Sequence, residues 1–79
     1  MTMTDDVTRT QTSQVLVLLY RYVVTNTPSH AALVPAVLAL REGAKQFGRG
    51  NVQAGFDMAL ASYRLVQQVR STSPDLPLP

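Results

Sequence analysis

The stretch Gln14–Val24, QVLVLLYRYVV, decides how the rest of this 79-residue chain is read. If it is helical, apolar side chains cover nearly its whole circumference. Val15, Leu18, Leu19 and Tyr22 form one stripe, and Leu16, Tyr20, Val23 and Val24 form the adjoining face. A helix that is apolar all round must be enclosed on more than one side. Three helices in one chain leave part of such a surface uncovered, which points to a homodimer or a partner groove. A β-strand competes, because Val and Tyr favour strands and short apolar runs are ambiguous. Against it, the chain has no second strand-like run to pair with. The expectation is therefore a helix that begins within residues 5–13.

Working outward, residues 25–29, TNTPS, form the clearest boundary. Thr27 is suited to cap a following helix with Pro28 at its first position, where the missing N–H costs nothing. Pro35 lies too deep for the first turn of that same helix, so the second helix should be kinked or split there. A short turn over residues 29–33 and a main helix from Val34 to Phe47 satisfy this. Gly43, with Ala36, Ala39 and Ala44, suggests a close helix crossing. Residues 48–51, GRGN, mark the next stop, with Gly48 placed for a left-handed C-terminal position and Asn51 for a cap. Residues 52–70 then show the cleanest helical period, with Val52, Phe56, Ala59, Leu60, Tyr63 and Val66 at spacings of three and four. Pro74 ends that helix, leaving residues 73–79 as an extended C-terminal tail. The division is thus a polar tail or frayed helix start at 1–12, a helical domain at 13–72 and the tail. The fold class is all-α, a small dimeric bundle of three principal helices.

Composition limits the chemistry. A chain this short holds a core worth only about 3–5 kcal/mol unaided. There is no cysteine and a single histidine, His30, which gives no disulfide framework and no metal site. The opening residues MTMTDDVTRTQTSQ are polar and acidic, unlike a secretory leader, and the longest apolar run is about half a membrane span. A cytoplasmic location, away from membranes, is the expectation. Six cations (Arg21, Arg41, Lys45, Arg49, Arg64 and Arg70) face only Glu42 and Asp57 between Ser13 and Thr72. That excess favours an acidic partner.

Arg41, Lys45 and Arg49 fall at i, i+4 and i+8, one face of a helix. They are the expected partner-binding residues, although cations also sit comfortably near a helix C-terminus. Val15, Leu18, Leu19, Tyr22 and Val23 are the expected dimer or partner interface. The GRGN loop could offer N–H groups to a phosphate, but it lacks the glycine spacing of a nucleotide fingerprint and is explained as a turn. A ribbon-helix-helix DNA binder would need polar groups on one face of residues 15–23, and both faces there are hydrocarbon. A helix-turn-helix is interrupted by Pro35 and Gly43. Ser29 and His30 have no orienting acid, so no catalytic residues and no cofactor are expected. The tail sequence PDLPLP suits an extended conformer that aromatic grooves bind, or simply a disordered end. The function expected is a non-enzymatic adaptor, chaperone or inhibitor acting as a homodimer on another protein with an acidic surface. The alternative is a small basic dimeric DNA-binding regulator.

Overall fold

The computed structural model describes residues 3–79, with side chains from residue 6 onward. Residues 1 and 2 of the expected N-terminal stretch lie outside the described residues. The chain forms α1 (Met3–Asn26), a 3-10 turn (Ala31–Leu33), α2 (Val34–Gly48) and α3 (Val52–Thr72). Among the described residues there is no strand, and the three helices pack together. The Gln14–Val24 stretch is helical throughout, which removes the strand alternative.

At about 1.5 Å per residue, the 24 residues of α1 span roughly 36 Å, while the 15 of α2 span about 22 Å. The long helix accounts for most of the 43 Å length of the molecule. Its early turns carry polar residues and are exposed from Asp6 to Gln11. Burial begins at Thr12, and the inner line continues through Leu16, Leu19 and Val23. These meet Leu33, Ala36, Leu40, Ala59 and Val66 in one apolar cluster.

The first connection differs from expectation in its details. Thr27 closes α1 rather than opening α2: its N–H and its hydroxyl both donate to the Val23 carbonyl, at 2.9 and 2.6 Å. That oxygen would otherwise be an orphan of the helix end. The proline at a helix start is Pro35, in the first turn of α2, where it displaces no backbone bond. A 3-10 turn precedes it, and α2 runs from Val34 with no kink shown.

The second connection is a Schellman closure. Asn51 N–H donates to the Gln46 carbonyl at 2.9 Å and Gly50 N–H to the Phe47 carbonyl at 3.0 Å. The left-handed residue is Gly50, with φ of 89°, and not Gly48, which is the last residue of α2. The Asn51 side chain does not cap α3. It donates to Gln46 Oε1 at 2.8 Å, while its carbonyl accepts from Gly55 N–H at 3.0 Å.

Helices α2 and α3 make the closest pair. Gly43 and Gly55 are both buried where they cross, so the two backbones approach without side chains between them. Further along, Ser62 Oγ donates to the Ala36 carbonyl at 3.1 Å, showing that the pair runs antiparallel. Ala36 and Ala39 are buried as the crossing requires, whereas Ala44 is exposed.

Residues 73–79 are not a free tail. They turn back across the end of the bundle and insert Leu76, which is 1% exposed, into the core cluster. Full burial of one leucine contributes about 1.5–3 kcal/mol, enough to matter in a domain this small. Arg70 Nε donates to the Leu76 carbonyl at 3.2 Å, and Tyr22 Oη donates to the Pro77 carbonyl at 2.5 Å. His30 Nε2 lies 3.3 Å from Asp75 Oδ2.

Candidate docking surfaces

The apolar stripe of α3 is only partly the buried one. The residues that meet the core are Gly55, Ala59, Ser62 and Val66. Small side chains there let α2 come close. The larger Phe56, Leu60 and Tyr63 are rotated to one side and are 41%, 39% and 39% exposed. With Val15, Leu18 and Leu19 of α1, and Pro79 of the returning C-terminal segment, they line an open groove of about 340 Å³ between α1 and α3.

A second groove of about 440 Å³ lies on the other flank of α1, against α2. Leu16, Val17, Tyr20, Leu40 and Ala44 provide its apolar surface, and Arg21 and Arg41 stand at it from opposite helices. Lys45 is one turn beyond Arg41, and Arg49 follows the last residue of α2. All four cations are exposed. Among the described residues none of them makes an ion pair. Glu42, the one carboxylate on α2, accepts from Gln46 at 2.9 Å and does not line the groove. The groove is apolar at its base and uncompensated in charge at its edge.

Comparison of the chain with protein-family models, curated proteins and solved structures finds no match. The chemistry of the surfaces has to carry the functional reading.

The residues expected to mediate association are dispersed. Val23 is fully enclosed and Leu19 nearly so, both inside the chain's own core. Val15 and Tyr22 are half-buried, and Leu18 is 65% exposed. Of the expected partner-binding residues, Arg41 and Lys45 share the outer side of α2, while Arg49 lies past its end. Arg21 joins Arg41 only through the packing of α1 on α2. Its one signal in the sequence is that it alone interrupts the apolar run, which marks the side of α1 turned to water.

The His30 side chain is largely buried, only 12% exposed, and Nδ1 has no partner while Nε2 faces Asp75. This contact joins Asp75 of the C-terminal segment to the turn after α1. Among the described residues, no three His, Asp or Glu side chains converge as a metal site. No helix among them is long and apolar enough to cross a membrane.

Proposed function

We propose that this chain is a non-enzymatic, cytoplasmic protein-binding module, an adaptor, chaperone or inhibitor of a larger protein, that acts as a homodimer. Its partner presents an acidic amphipathic helix to the α1–α2 groove. The observation that carries this reading is the pairing of an apolar floor with Arg21 and Arg41 and no opposing carboxylate. A helix laid in such a groove buries apolar residues at i, i+3 and i+4. Acidic residues along its edges then meet the two guanidinium groups, whose planar donors suit carboxylates. Lys45 extends the same charge by one turn.

The test is a tagged pull-down from the source cell's lysate, comparing the wild type with Arg21→Glu/Arg41→Glu, with and without nuclease. Both residues are exposed, so helicity should be unchanged by circular dichroism. The expected outcome is a protein captured by the wild type with or without nuclease and lost by the variant. A protein captured equally by both forms would remove the groove from consideration. Nucleic acid recovered alone, with affinity falling steeply with salt, would transfer the basic residues to the DNA-binding alternative.

A further inference from the structure

We propose that the α1–α3 groove is the dimer face, occupied by the same groove of a second copy turned end for end, so that the two α3 helices meet antiparallel at Leu60. This builds on the homodimer proposed above and adds its face, its polarity and its charge pairing.

The apolar part is Leu18 on α1 with Phe56, Leu60 and Tyr63 on α3, all exposed and all on one groove. Exposed large apolar residues gathered in one place mark an interaction site more than scattered ones do. Charge then selects the occupant. Asp57 and Arg64 are both exposed and lie seven residues apart, two turns, on the same side of α3. They stand three residues before and four residues after Leu60, with opposite sign. In an antiparallel crossing at Leu60, Asp57 comes opposite Arg64 of the second copy. The two-fold axis repeats the pair at the other end, as an isologous interface requires.

The antiparallel arrangement is thus self-complementary in charge, with both pairs supplied by α3 alone.

Sedimentation equilibrium and native mass spectrometry on the full chain test this with Asp57→Arg, Arg64→Asp, the double reversal and Leu60→Glu. Each single reversal is expected to raise the dimer Kd about tenfold or more by setting like charges at both ends. The double reversal should restore it. An equimolar mixture of the two single variants should form the heterodimer in preference to either homodimer. Leu60→Glu should be monomeric with unchanged helicity, since the residue it replaces is exposed. If the single reversals dimerise like the wild type and mix without preference, the antiparallel pairing is overturned while the homodimer stands. A wild type that stays monomeric at its highest soluble concentration overturns both, and leaves the α1–α2 groove to its own test.

Discussion

Gly43 and Gly55 sit where α2 crosses α3, and neither has room for a methyl group. A Cβ on Gly43 would lie 3.0 Å from Met58 Cβ and 3.2 Å from the Gly55 carbonyl oxygen. Alanine in a helix normally gains roughly 1 kcal/mol over glycine. Here overpacking against backbone costs about 1–3 kcal/mol, so Gly43→Ala should be a net loss of about 1 kcal/mol. Gly48 has nothing within 4 Å of its virtual Cβ and an ordinary φ. Gly48→Ala should therefore stabilise by about 0.5 kcal/mol. Urea denaturation of the two variants checks the opposite signs; a stabilising Gly43→Ala would mean the crossing is looser than described. The cluster of small residues on α2 made this crossing legible, yet Ala44 was grouped with it and faces solvent. Gly55 was not legible at all, because a glycine adds nothing to an apolar period.

At the scale of elements, the places where the chain breaks were legible but not the residue that makes each break: the proline that opens α2 is Pro35 rather than Pro28, and the left-handed glycine is Gly50 rather than Gly48. The Val34 start of α2 and the break at residues 49–51 follow from the local constraints of Pro35 and Gly50. Leu76 could not be foreseen, because its burial depends on three helix ends forming a recess that no local pattern reports. The period of α3 was correct, but its apolar arc is wider than the contact with α2, so the sequence did not show which side stays open. The returning C-terminal segment also has a pH consequence. Burial pushes the Tyr22 phenol above its ordinary value of 10.0, against a smaller opposing pull from Arg70. A raised folded pKa means that the contribution is whole below pH 10.0 and is lost as pH climbs through the folded value. The phenolate can no longer donate to the Pro77 carbonyl. The melting temperature of the wild type should fall above about pH 10. Tyr22→Phe should flatten that step after losing about 0.5–1 kcal/mol at neutral pH. An identical alkaline profile in the variant would detach the effect from this phenol.

Across the whole molecule, the two grooves draw on different residues of α1: Val15, Leu18 and Leu19 line one, and Leu16, Val17, Tyr20 and Arg21 line the other. They should therefore work independently. Leu60→Glu is expected to abolish dimerisation and keep partner capture, while Arg21→Glu/Arg41→Glu does the reverse. Sedimentation and pull-down on both variants check this, and a variant that loses both properties would make the grooves one interface. The excess of apolar surface on α1 was legible from its all-round pattern. Its division into an apolar groove and a basic one was not, since that depends on which helices stand on either side. The crossing of α2 and α3 has one more consequence, for uniqueness. Sliding α3 by a turn would set Met58 or Ala59 where Gly55 now meets a carbonyl, and sliding α2 would set Ala39 or Phe47 there. Each alternative drives a Cβ into backbone. The paired glycines thus act as a registration pin, admitting one alignment of the hairpin and excluding those a turn away.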